Sequence, residues 1–201
     1  MAYRKLLRMK KYLTFIMLLT TFARLSAQQK QLPLDDRGKY IYYEVVEVKA
    51  INKDSLLKRA ADFIHQDYKK SMNLESSTDT SILAKGTLVI DKTLLVAGHP
   101  SGEVKYNFTV EFRSEKYRFW LTDFEYIPYQ RDRYGNFVAS TNIGTPLEKT
   151  PSKLNAGQWK DILGGVSVKA TKFGEDFKKF LASSRIETAK KKAETISTKK
   201  W

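Results

Sequence analysis

The chain is predicted to fold as one α+β domain: a single, largely antiparallel sheet with helices packed on one of its faces. Three observations predict it. Val104, Tyr106, Phe108, Val110 and Phe112 alternate with Lys105, Asn107, Thr109, Glu111 and Arg113, the period-two pattern of a strand with one buried and one wet face. Leu56, Leu57, Ala60, Phe63, Ile64, Tyr68 and Met72 recur at three- and four-residue spacing; they draw an apolar stripe on a helix that needs a sheet to lie on. A second stripe, from Trp159 to Leu181, returns late in the chain. The 201 residues, 42% of them hydrophobic and 12% aromatic, suffice for one well-buried core but not comfortably for two.

Taken in order, Tyr40 to Val48 is dense in β-branched and aromatic residues behind the turn formers Asp35, Asp36 and Gly38, and reads as a strand. Asn52 offers an N-cap to the helix, expected from Lys53 to Met72. Asn73 to Ser77 is a weak strand, Asp79-Thr80 a turn, and Ile82 to Ile90 a strand in which Gly86 marks a bulge or a close backbone approach. His99 to Gly102 reads as loop. The alternating strand then turns at Arg113 to Lys116 into Tyr117 to Tyr126, where aromatics on both faces imply that part of the second face is covered. Residues 127–158 are punctuated by Pro128, Gly135, Gly144, Pro146, Pro151 and Gly157 and are expected to form a long loop. Residues 159–184 are expected to dock as a second helix, broken near Gly164-Gly165 and Gly174. The domain plan is therefore a leader (1–27), a linker (28–39), the core domain (40–126), the loop (127–158), the helical segment (159–184) and a basic tail (185–201).

Met9-Lys10-Lys11, then Tyr12 to Ala23 without charge, then Leu25-Ser26-Ala27 form the order of a secretory signal. The uncharged dozen spans about 18 Å as a helix, short of the roughly 20 residues that cross a bilayer. Cleavage near Ala27 and a soluble mature protein in the periplasm or the medium are expected, with Met1 and Met9 both candidate starts. The formal charge is +14. The six bases of residues 1–27 and the four net positive charges of residues 185–201 leave +4 for residues 28–184, so most of the basic excess lies outside the body and describes no binding groove. The absence of cysteine removes disulfides, thiolate metal sites, cysteine nucleophiles and a lipid-anchored leader.

Tyr42-Tyr43-Glu44-Val45-Val46-Glu47-Val48, the capped helix with Leu56 and Ala60, Lys85-Gly86, and Tyr117-Arg118-Phe119-Trp120-Leu121-Thr122-Asp123-Phe124-Glu125-Tyr126 follow one another as strand, helix, antiparallel strands and helix. Over residues 40–126 the chain resembles a domain-of-unknown-function family with a TATA-binding-protein-like, helix-grip-like fold found in exported bacterial proteins. The resemblance implies fold and export. It carries no activity and no catalytic residues.

Enzyme signatures are scarce. Two histidines cannot build a His-rich zinc site, and no Gly-rich phosphate loop or Gly-x-Ser-x-Gly elbow occurs. His65 reads as a partly buried helix residue. His99 beside Ser101 could pair a base with a hydroxyl, but a triad needs convergence from distant segments. Glu44 and Glu47 point to opposite faces, whereas Asp123 and Glu125 share one and read as solvated edge charges rather than as paired glycosidase acids. The one place to look for recognition is Tyr126, Tyr129, Arg131, Arg133 and Tyr134, since tyrosine and arginine supply interface hot spots.

The expected function is that of a non-catalytic extracytoplasmic binding or interaction module for an envelope protein or small ligand, without cofactor or metal. Its surface would be the uncovered sheet face and the 127–158 segment. The alternatives are a nucleic-acid or anionic-surface binder, in which aromatic strands stack bases and lysines meet phosphates, and a hydrolase with an unrecognised site. Export argues against nucleic acid. The basic tail also permits peripheral membrane contact, although it lacks the apolar face of an interfacial helix.

Overall fold

The computed structural model of the chain describes residues 31–183 except 50, 67, 69, 93–98, 150–153 and 155. The expected leader and basic tail lie outside the described residues. The elements run β1 (Tyr42–Glu47), α1 (Lys53–Gln66), β2 (Met72–Ser77), β3 (Ser81–Lys92), β4 (His99–Arg113), β5 (Lys116–Arg131), β6 (Phe137–Ala139), β7 (Thr145–Pro146) and α2 (Ala156–Ala182). The sheet order is β1-β5-β4-β3-β2, with β6 and β7 also paired to β5, and every pairing is antiparallel. One edge of β5 is zipped to β4. Its other edge is covered piecewise by β1, β7 and β6, which come from opposite ends of the domain.

The alternation of β4 puts Val104, Tyr106, Phe108, Val110 and Phe112 in the core. Both helices lie on that face. Phe63 of α1 and Phe173 and Phe177 of α2 meet Phe108 edge-on or each other at centroid distances of 5.2 to 6.3 Å, and Phe177 also packs on Tyr117 and Phe119. Each such fully buried side chain contributes roughly 1.5–3 kcal/mol. Arg59 donates to the Leu181 carbonyl (2.6 Å), tying α1 to the end of α2.

Asn52 caps α1, its side-chain oxygen accepting from the Ser55 N–H at 2.7 Å. The helix stops at Gln66, short of Met72: the Tyr68 carbonyl accepts from the N–H groups of both Ser71 and Met72, turning the chain into β2. Tyr68 keeps its apolar contact by packing on Phe63 at 4.7 Å. His65 is exposed rather than partly buried.

Within the segment 127–158, read as a long loop, the end of β5, β6 and β7 are strand. β5 continues through Pro128 to Arg131, turns, and returns as β6 and β7; Pro128, which has no N–H to give, takes part by accepting at its carbonyl from the Ser140 N–H at 2.9 Å. His99 to Gly102 is likewise strand, paired with β3 through a register shift at Ile90/Asp91. No bulge occurs at Gly86; the Tyr106 ring closes over it instead, where a β-carbon would lie 2.3 Å from the ring.

α2 runs unbroken past its glycines, which are places of close approach rather than breaks. A β-carbon on Gly174 would lie 2.3 Å from the Tyr42 hydroxyl. That hydroxyl donates to Glu44, which in turn pairs with Lys178 at 2.6 Å.

Candidate functional site: the open sheet face and the β5–β6 hairpin

Both helices lie on one side, and among the described residues no element covers the other side of the sheet. Its register draws rows across the strands. Tyr43, Trp120, Thr109 and Leu83 stand in one row, with Tyr43 47% and Leu83 38% exposed. Beside it runs Val45, Arg118, Glu111 and Ser81. Arg118 bonds Glu111 at 2.7 to 2.8 Å and lays its guanidinium 5.5 Å from the Trp120 ring centre. On the other side stand Thr122, Asn107, Lys85 and Asn73. The face is thus an apolar row between polar ones.

The polar side deepens into a concavity of about 490 Å³, lined among others by Lys70, Asn73, Lys85, Lys105, Asn107, Asp123 and Glu125. A bulge places the two carboxylates there. Asn107 pairs with Thr122 and Lys105 with Glu125, so two residues of β5 oppose Tyr106. Asp123 takes φ +53°, a left-handed conformation that aspartate tolerates better than most residues. The extra residue inverts the alternation. Tyr117, Phe119 and Leu121 are buried before it, and Phe124 and Tyr126 after it, so these five residues share the core face although their spacing changes parity. Asn107 donates to Asp123 at 3.2 Å. The Arg37 guanidinium lies 3.8 Å from Asp123 and donates to the Thr122 hydroxyl at 3.2 Å.

The five residues singled out in the sequence do not form one surface. Tyr126 is a core residue, packed edge-on against Trp159 at 5.9 Å, with its hydroxyl donating to the Ser101 carbonyl at 3.0 Å. Tyr129 is half-buried and donates to Glu103 at 2.9 Å; burial first, then the carboxylate, push its hydroxyl up to about 12. Arg131, Arg133 and Tyr134 do project from the hairpin, Tyr134 being 74% exposed. Asp132 shapes the turn between them. Its Oδ1 accepts from the N–H groups of Tyr134 and Asn136 at 2.8 Å, and Gly135 follows at φ +85°. Partial desolvation works against ionisation of Asp132, yet these donors hold its carboxyl below the ordinary value. Arg131 lies over the Phe137 ring at 4.9 Å, and His99 stacks on the same ring at 5.3 Å.

The dyad considered from sequence is not formed: His99 stacks on Phe137, and the Ser101 hydroxyl donates to the Ile90 carbonyl at 3.0 Å. Among the described residues no group of three or more His, Asp or Glu is placed to hold a metal ion. Missed in the sequence were Arg37 and the row through Tyr43 and Trp120, which strand alternation alone could have joined once the β1–β5 pairing was known.

One strand, a helix, six strands and a second helix, folded into one antiparallel sheet with both helices on one face, define an α+β protein of the TATA-binding-protein-like class. Within it, residues 42–127 match the family model of a domain of unknown function (DUF4468) with TBP-like fold. The fold is also similar to the crystal structure of a TBP-like protein from Parabacteroides distasonis, at 14% identity and TM-score 0.57, covering 75% of this chain and 96% of that one. A DUF4468 family protein from Bacteroides ovatus matches at 11% identity and TM-score 0.53, covering 78% and 92%. At such identities the likeness establishes the fold alone. No curated protein matches the chain.

Proposed function

We propose that the protein is a non-catalytic binding module acting outside the cytoplasm, with the open sheet face and the projecting β5–β6 hairpin as its contact surface. The observation that carries this reading is the row Tyr43, Trp120, Thr109 and Leu83, apolar area on a face that no helix among the described residues covers. Arg131, Arg133 and Tyr134 supply the adaptable charged and aromatic groups of an interface rim. On the same face Glu111, Asp123 and Glu125 stand among Arg118, Lys70, Lys85 and Lys105, a surface of mixed sign rather than the basic one that binds the phosphates of a nucleic acid or an anionic membrane. Among the described residues no helix is long and apolar enough to cross a membrane. The export part of the reading rests on the leader alone, and N-terminal sequencing of the exported form should begin near Gln28.

A photo-crosslinker placed at Leu83 is expected to capture a defined partner set from envelope extract. Leu83 tolerates it because it is on the open face. Changing Trp120 to Ala in one variant, and Tyr129, Arg131 and Tyr134 to Ala in another, should each deplete that set at least tenfold. An unchanged set in both variants would refute the surface.

A further inference from the structure

The two edges of the sheet are built differently. β2 is polar along most of its length, and its register with β3 shifts between Leu74 and Ser76, a bulge of the kind that twists an edge away from further pairing. β1 is regular, paired residue for residue with β5 from Tyr42 to Glu47. The Val48 N–H donates to the Glu115 carbonyl at 2.9 Å. In an antiparallel ladder, residues alternate between bonding inward and presenting both backbone groups outward. By that alternation Val46, Glu44 and Tyr42 bond β5, and Tyr43, Val45 and Glu47 turn their N–H and C=O groups to the outer side. No backbone partner for these groups occurs among the described residues. Just before them, the Ile41 N–H donates to the Pro33 carbonyl at 2.9 Å, and Leu32 packs on the core. Val45 is 54% exposed and Tyr43 47%.

We propose that β1 pairs with β1 of a second copy of this chain, antiparallel about a two-fold axis through Val45. The register selects this occupant. With Val45 facing the partner's Val45, Tyr43 stands opposite the partner's Glu47, and all three outward residues of each copy find a backbone partner. An axis at Glu44 would set two carboxylates face to face and run Glu47 into the already bonded Ile41. An axis at Glu47 would oppose like charges and leave Tyr43 unpaired. An isologous pairing of this kind closes on itself and consumes both edges. It continues the sheet from five strands in one copy to the five of the other and sets the two open faces side by side. The pairing is independent of what those faces bind.

The test uses the protein from Gln28 onward, which holds every described residue. Light scattering on a sizing column should give the mass of two chains. Val45→Pro should give the mass of one, with unchanged circular dichroism, because the N–H that proline removes faces outward and not toward β5. Val45→Lys, which opposes two ammonium groups at the axis, should also give single chains, and so keeps the test should the proline unfold the strand. Amide exchange at Tyr43, Val45 and Glu47 should be slow in the wild type and fast in both variants. A single-chain mass for the wild type up to millimolar concentration would overturn the proposal. So would slow exchange in such a monomer, which would mean that residues 28–31 fill the edge, or a dimer indifferent to both substitutions.

Discussion

At the scale of single residues, Tyr106 shows how the core accepts one defect to gain packing. Its ring fills the space over Gly86, but its hydroxyl is buried without a hydrogen-bond partner among the described residues. An unsatisfied buried hydroxyl costs on the order of 1–3 kcal/mol. Tyr106→Phe keeps the ring and removes the defect, so urea denaturation should find it at least as stable as the wild type, by up to about 1 kcal/mol. Tyr126 has the opposite environment, its hydroxyl bonded to Ser101, and loses stability on the same change.

At the scale of elements, α2 separates two uses of glycine in a helix. Replacing a helix-interior glycine by alanine gains about 1 kcal/mol of propensity, while overpacking costs about 1–3 kcal/mol. At Gly165 a new β-carbon meets only the Ile90 Cγ2 methyl, at 3.2 Å, and needs it to give by a few tenths of an ångström, whereas at Gly174 it collides with the Tyr42 ring and hydroxyl. Thermal and urea melts should therefore show Gly165→Ala neutral or stabilising and Gly174→Ala destabilising by about 1–3 kcal/mol. The same contrast explains what a linear reading could see. β4 was legible because nothing interrupts its alternation. The second half of β5 was not, because Asp123 inverts the alternation through a backbone angle that composition does not announce. α1 was read too long because Tyr68 and Met72 keep helical spacing while serving a turn and a strand. β6 and β7 were hidden because Gly144 and Pro146 are turn formers in isolation; here Pro146 pairs with Glu125, and Gly144 passes too close to that side chain to carry one of its own. Of the five recognition residues, the ones at the hairpin tip were placed by composition, and Tyr126 was lost to the core by the same inversion.

At the scale of the whole molecule, the buried tyrosines act together. Burial first, and neighbouring carboxylates where present, raise the hydroxyls of Tyr42, Tyr106, Tyr117, Tyr126 and Tyr129 above their ordinary value. A group whose folded value is raised favours the fold while it remains protonated. That contribution is complete below about pH 10, the unfolded value, and is lost as pH rises through the folded values, of which that of Tyr129 is about 12. Urea midpoints measured from pH 8 upward should stay level to about pH 10 and then fall steeply. Tyr129→Phe should remove only its own share of the decline.

The core is completed by the last described element. Until Ala156–Ala182 has left the ribosome, the sheet has no Phe173 or Phe177 to set against Phe108, Phe119 and Tyr117. Synthesis from the N-terminus therefore yields a sticky, unfinished half-layer for most of translation. Cooperative folding waits for α2, and until it arrives the bare sheet face is prone to aggregate.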